Sequence, residues 1–195
     1  MIQDLFIYFA RFPKKEGVKS MFTMGDSSYS EYTQLLTALD EMTDCEWVPE
    51  IENYVYGQSI EDLQQRINKL FGSWMMVDYG EITTKADRSG SLQVGQQIAI
   101  TVAMKMRQNS DMAERVIASD RTLKMTSGVL SCLWNDVRNG RVNWFGPGEL
   151  QEAEIVPFVA SELSSYGWTL MLQISAPDTL NIKTDIRNDN GESDT

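Results

Sequence analysis

The sequence predicts an α+β domain with a mainly antiparallel sheet of four or slightly more strands and helices packed on one face. Three observations lead to this prediction. Residues 92–107 alternate apolar and polar side chains with a period of two, which indicates a half-buried strand. Residues 111–137 carry apolar side chains at helical spacing. Strand-like segments joined by polar loops, as in antiparallel hairpins, lie before and after that helix in the chain.

The N-terminal part contains one ambiguous segment and one helical pattern. Residues 5–9 are apolar and fit either a strand or the first turn of a short helix. A helix is expected to begin near Ser28 or Ser30, which are suitable N-caps, and to end at Asp44 or Cys45. Its apolar residues recur at spacings of three and four. They are Tyr32, Leu35, Leu36, Leu39 and Met42.

Residues 46–56 combine β-type side chains with a proline, which predicts an edge strand or an extended segment. The next pattern is helical and covers residues 60–71. Ser59 followed by Asp62 resembles a capping box in its acidic form, and Gly72 is the expected C-cap. This second helix is therefore bounded by recognisable signals at both ends.

A hairpin is predicted next. Residues 74–82 have strand character, and the polar residues 85–91 connect them to the alternating strand at 92–107. The connection is longer than a tight turn needs, so we expect a hairpin tip that projects from the domain and contacts neighbours.

The helix at 111–137 is expected to begin with the turn and cap residues 109–111 and to end at 139–140, an Asn-Gly pair. Two strands follow over 155–163 and 168–175, joined as a hairpin by the residues between them. The first of these strands contains a proline, which predicts an edge position or a bulge.

The predicted organisation has three parts. Residues 1–58 form an N-terminal extension made of a helix and an extended segment, and residues 59–178 form the α+β core. Residues 179–195 are polar and acidic and are expected to be disordered.

Composition excludes some function classes. The net charge of −11 argues against general binding to a nucleic-acid backbone, which needs a concentration of lysine and arginine. The acidity indicates either a soluble surface or an acidic surface that faces a partner or a channel. No apolar run approaches a membrane span, and no basic targeting segment precedes residues 5–10. A soluble, cytoplasmic protein is expected.

The chain has no histidine, which removes the commonest general base and the commonest metal ligand. Cys45 and Cys132 are far apart in sequence and belong to no CxxC pair, so we expect free thiols, with a disulfide as the alternative. No calcium-loop or phosphate-loop spacing occurs. The sequence predicts no metal site, no cofactor and no catalytic residue.

Two groups of residues are candidates for contacts with partners. The aromatic turn containing Trp144, Phe145 and Pro147 is either an interface anchor or part of the core. The hairpin loop contributes a second, polar group. Its candidate residues are Lys85, Asp87, Arg88 and Ser89.

From about residue 60 to residue 176, the order of elements resembles the tail terminator, or tail completion, proteins of long-tailed bacteriophages. Those proteins have a helix, a strand hairpin with a long polar loop, a crossing helix and a final hairpin that ends in an alternating strand. The matching segments here are residues 60–71, 74–82, 92–107, 111–137, 155–163 and 168–175. The resemblance implies a hexameric ring that caps the tail tube, stops its polymerisation and contacts the head connector. It also implies an acidic lumen and no catalytic residues.

Two other functions remain open at this point. A module that binds a small molecule or a protein partner would show a deep apolar pocket between helix and sheet, lined by methionine and tryptophan. A histidine-free enzyme would show a cleft that holds two carboxylates with shifted pKa values, for which Asp78, Glu81 and Asp87 are candidates. The leading expectation is a structural homo-oligomer that contacts other tail or neck proteins and binds neither membrane nor specific nucleic-acid sequences.

Overall fold

The computed structural model describes residues 2–23, 27–86, 92–107, 109–142 and 152–175. The helices within these ranges are α1 (Ile2–Phe9), α2 (Lys15–Lys19), α3 (Ser30–Glu41), α4 (Ile60–Ile67) and α5 (Met112–Arg138). The strands are β1 (Asn53–Gly57), β2 (Ser73–Asp78), β3 (Ile82–Ala86), β4 (Leu92–Lys105), β5 (Glu154–Ala160) and β6 (Ser165–Ser175).

All six strands form one mixed sheet. The order across the sheet is β1-β2-β4-β6-β5, and β3 pairs with the first part of β4. β1 runs parallel to β2, and the remaining pairs are antiparallel. The predicted α+β class and the mainly antiparallel sheet are therefore confirmed. As predicted, β1 and the proline-containing β5 are the outer strands.

Residues 100–103 of the central strand β4 are buried on both faces, although its alternation predicted a half-buried strand. Ile98, Ile100 and Val102 face the main core, and Ala103 faces a second apolar cluster with Trp74. The small side chain of Ala103 leaves room for the indole ring beside it, since the two residues pair across β2 and β4. Ala103 lies on the face of β4 that was expected to be polar, and its small side chain indicates that this face is packed.

Helices cover both faces of the sheet, although the sequence predicted a single helical face. α1 and α5 contribute to the main core, whereas α4 lies over the second cluster through Ile67, with Ile60 and Leu63 packed at its margin. Burial of Val55 and Trp74 beneath α4 stabilises this second layer because their apolar surface is removed from water.

The N-terminal residues contribute directly to the main core. Residues 5–9 form a helix, and Leu5 and Phe9 are buried in the same cluster as Ile100 and Leu133. The Tyr54 hydroxyl donates to the carbonyl of Phe6 at 3.2 Å and so joins α1 to β1. The predicted domain boundary at residue 58 falls directly after β1, whose partner β2 lies beyond that boundary.

α5 begins and ends where the sequence predicts, but its buried face differs from the predicted one. The Asp111 carboxylate accepts from the amide of Glu114 at 2.8 Å, and Asn139 is the C-cap. Met112 and Val116 are apolar residues one turn apart near the start of the helix, where the spacing predicts a buried stripe, but both are exposed. The buried stripe instead includes Thr122, whose hydroxyl donates to the carbonyl of Ala118 at 2.8 Å. A threonine satisfied in this way can occupy a core position.

Both hairpin connections differ in detail from the prediction. The expected strand at 74–82 is interrupted at Gly80, which has a φ of 52° and donates its amide to Asp78 Oδ1 at 2.8 Å. Pairing then resumes in β3, so Lys85 lies in a strand and not in a loop. The second hairpin turns at residues 161–164, and the expected turn residues 165–167 belong to β6.

Candidate functional site

Most of the contact residues predicted from the sequence lie outside the described ranges. These are Asp87, Arg88, Ser89, Trp144, Phe145 and Pro147. Lys85 lies in β3, where its backbone pairs with Gln93 of β4. The role of these residues in contacts with partners therefore stays a prediction.

The clearest concave site is a cleft of about 630 Å³ between α5 and residues 47–52. Successive turns of α5 line it, because Arg121, Met125 and Gly128 recur at helical spacing. Val48 of the opposite wall lies close to Gly128, since a Cβ atom at this position would be in ordinary van der Waals contact with Val48 Cγ2 at 3.4 Å. We call this space the α5 cleft.

One surface of the α5 cleft is apolar and includes two methionine side chains. Trp47, Val48, Met104 and Met125 contribute to it. The indole of Trp47 is fixed by its Nε1, which donates to Asp44 Oδ1 at 2.8 Å, and its ring packs edge-to-face on Phe12. The cleft therefore offers a rigid aromatic wall beside two adaptable methionine side chains.

One wall of the α5 cleft is acidic. Glu50 and Glu52 line it, and both belong to a segment that is tied to the start of β2. The Ser73 hydroxyl accepts from the amide of Glu52 at 3.0 Å and donates to the carbonyl of Glu50. Asn53 Nδ2 donates to the carbonyl of Ser73 at 2.9 Å. These bonds fix the backbone that carries the two carboxylates.

The opposite wall is basic and belongs to α5. Lys124 Nζ lies 2.7 Å from Asp120 Oδ2, an exposed pair one helical turn apart. Arg121 is also exposed, and within the described residues it forms no ion pair with Glu50 or Glu52. Charges of opposite sign thus face the same cleft without neutralising each other directly.

A second polar cluster lies at the end of α5 and is shared with α1. The buried carboxylate of Asp136 accepts from the Tyr8 hydroxyl at 3.1 Å and from Arg141 at 3.4 Å. Burial, followed by the nearby Asp136, raises the pKa of Tyr8 far above its ordinary value. Burial and Asp136 also raise the pKa of the Cys132 thiol, so the thiol is protonated and weakly nucleophilic at neutral pH. This geometry supports a structural role for the cluster.

The cysteines and acidic side chains form no evident metal site in the part of the chain that the structure describes. Cys45 and Cys132 are both free and half-buried. No group of three or more histidine, cysteine, aspartate or glutamate side chains converges within those ranges. The described helices also include none with the length and apolarity required to cross a bilayer.

The α5 cleft was not predicted as a site from the sequence. Its two charged walls come from segments about 70 residues apart, such as Glu52 and Arg121. One signal was available, since residues 20–65 contain no lysine or arginine and therefore form a continuous acidic stretch. No protein-family model, curated protein or solved structure matches this chain significantly.

Proposed function

We propose that this chain is a non-enzymatic structural protein of a phage or prophage tail, which forms a ring that terminates the tail tube and contacts the head connector. The observation that carries the proposal is an exposed apolar surface where the start of α5 meets the outer strand β5. Such a surface on a small protein favours association, because its burial removes apolar area from water.

This surface, which we call the edge patch, consists of Met112, Val116 and Val159. These residues are 81%, 63% and 62% exposed, respectively. Arg115 stacks over the ring of Tyr166 at 5.3 Å, and Tyr166 pairs with Val159 in the sheet, so the helix start lies beside the end of β5. The three apolar side chains therefore belong to one region of the surface.

The outer side of β5 is unpaired within the described part of the chain, so the edge patch borders an open sheet edge. An open edge offers backbone donors and acceptors to a neighbouring chain. Pro157 has no N–H, so β5 has one backbone donor fewer. We therefore expect a neighbouring subunit to pack on the edge patch through side chains, with few added strand hydrogen bonds.

The β3–β4 hairpin offers a second region for assembly. β6 begins its pairing with β4 at Gly95, and β2 pairs only from Ala99 onward. Within the described residues, the backbone of Leu92, Gln93 and Val94 therefore pairs with β3 alone. This two-stranded arm extends past the neighbouring strands, and we expect a neighbouring subunit to contact it.

The proposal includes a location and a charge arrangement. The free chain is cytoplasmic and later becomes part of the virion. In a ring, the net charge of −11 would contribute to an acidic lumen that repels the phosphate backbone of passing DNA. Neither point requires a metal, a cofactor or a catalytic group.

Substitutions in the edge patch test the proposal. Val116→Glu and Val159→Glu each place a charge in the contact, and we expect sedimentation velocity to show that the oligomer dissociates. Tyr29→Glu is the control, since it adds the same charge at an exposed aromatic residue of another element, the N-cap of α3. Wild-type sedimentation of both edge variants, with native circular dichroism, would contradict the proposed contact.

A second function is supported by the α5 cleft, which has the methionine- and tryptophan-lined character expected of a binding module. Its volume of about 630 Å³ lies within the range of ordinary ligand sites, roughly 300–1,000 Å³. Binding at this cleft is compatible with assembly through the edge patch, because Met112, Val116 and Val159 are not among the residues that line it.

A further inference from the structure

We propose that the α5 cleft binds a short peptide with two free ends, whose ammonium group contacts Glu50 and Glu52 and whose carboxylate contacts Arg121. This inference rests on the second proposed function, that of a binding module, and not on ring formation. The apolar side chains of the peptide would lie on Trp47 and the two methionines of the cleft.

The charges on the two walls indicate the class of ligand. A purely anionic ligand would be repelled by the glutamates, and a purely cationic one by Arg121 and Lys124. A molecule with both charges, separated by an apolar body, satisfies both walls at once. Lys124 already pairs with Asp120, so Arg121 is the cation of the cleft without an ion pair among the described residues. Its planar guanidinium is suited to a two-point contact with a carboxylate.

The acidic wall is ordered before any ligand binds. The hydrogen bonds of Ser73 and Asn53 fix the backbone of residues 50–53. Two further backbone bonds anchor the same loop, from Trp47 to Arg11 at 3.0 Å and from Val48 to Phe12 at 2.9 Å. A ligand therefore orders charged side chains but little backbone when it binds, which favours affinity.

The apolar surface explains why a peptide fits better than a single small ion pair. The Trp47 ring lies 5.6 Å from the guanidinium of Arg11, measured from its centre, and packs edge-to-face on Phe12. It offers a fixed face for a branched aliphatic side chain, while Met104 and Met125 adapt to the side chain that enters. The cleft is therefore expected to prefer apolar residues between the two charged ends.

Isothermal titration of the full chain with Leu-Leu tests this inference. Three comparison ligands lack one or both charges. N-acetyl-Leu-Leu lacks the ammonium charge, Leu-Leu-amide lacks the carboxylate charge, and the doubly capped dipeptide lacks both. We expect Leu-Leu to bind and each single cap to weaken binding about tenfold or more, as for the loss of a hydrogen bond to a charged group. Equal affinity for all four ligands, or no binding of Leu-Leu at millimolar concentration, would overturn the inference.

Two variants locate the contacts. Arg121→Gln should bind Leu-Leu and Leu-Leu-amide equally, and Glu50→Gln with Glu52→Gln should bind Leu-Leu and N-acetyl-Leu-Leu equally. Arg138→Gln is the matched control on α5, an exposed arginine outside both the cleft and the edge patch, and should keep the preference of the wild type. If the control variant also lost this ligand preference, the preference would arise from the overall charge of the protein and not from contacts in the cleft. The solution mass of each variant is measured in parallel, so failure of peptide binding is distinguishable from failure of ring assembly.

Discussion

The hydroxyl of Tyr8 donates a hydrogen bond of 3.1 Å to Oδ2 of Asp136 and so joins α1 to the last turn of α5 across 128 residues of sequence. Asp136 is buried, and its other oxygen accepts from Arg141 at 3.4 Å. Since a buried carboxylate without partners is strongly unfavourable, this contact fixes the N-terminal helix on the core.

We expect Tyr8→Phe to destabilise the fold by about 1–3 kcal/mol, because it leaves Asp136 with a single longer hydrogen bond. Urea unfolding followed by circular dichroism measures the change. In a Tyr8→Phe/Asp136→Ala double variant the two losses should not add, since each substitution removes the same hydrogen bond. Additive losses would show that Tyr8 and Asp136 act independently.

The buried tyrosines predict a loss of stability at high pH. Burial raises the pKa values of Tyr8, Tyr54 and Tyr56 above the ordinary 10.0. The folded protein holds these protons more tightly than the unfolded chain does. The contribution of the tyrosines to the free energy of unfolding is therefore complete below pH 10 and is lost as the pH rises above it. Unfolding free energies measured at increasing pH should fall above about pH 10, less steeply for Tyr8→Phe. Stability that is unchanged there would contradict the buried placement.

Gly72 and Gly140 form a matched pair for a substitution test. Both have a positive φ, 71° and 66°, so alanine at either adds backbone strain of about 1–2 kcal/mol. A Cβ atom at Gly72 would also collide with the Glu52 carboxylate, whereas among the described residues no atom lies within 4 Å of one at Gly140. Urea titration should therefore show a larger loss for Gly72→Ala than for Gly140→Ala. Equal losses would mean that the Glu52 side chain moves aside freely.

Thr101 and Thr169 share a hydrogen bond of 2.8 Å between their hydroxyl groups on the buried second face of the sheet. Thr101→Val removes one partner and leaves a buried hydroxyl unsatisfied, so we expect a loss of about 1–3 kcal/mol. The double variant Thr101→Val/Thr169→Val replaces both hydroxyls with methyl groups and should recover most of that loss. A double-mutant cycle by thermal unfolding checks this, and simple additivity would contradict it.

Local signals in the sequence predicted much of the fold. The cap at Asp111 and the end of α5 at Asn139 follow from side-chain chemistry within one helical turn, and the structure confirms both. The alternation over 92–107 identified the central strand because a period of two is a property of the strand itself. Pro157 marked an outer strand for an equally local reason, its missing N–H.

Features that depend on distant segments were not predictable. The buried stripe of α5 includes Thr122 and Thr126, which a simple apolar pattern excludes although their hydroxyls are satisfied within the helix. The α5 cleft requires Glu52 and Arg121 to converge, and no local pattern fixes their separation. The contact between Tyr8 and Asp136 is likewise decided by the packing of two helices from opposite ends of the chain.

The proposed ring requires the chain to assemble with copies of itself. Light scattering after size exclusion, over a series of concentrations, tests it most directly. We expect a species with the mass of several 22.1 kDa chains, six for the expected ring, and annular particles in negative stain. A single 22.1 kDa species at every concentration would contradict it.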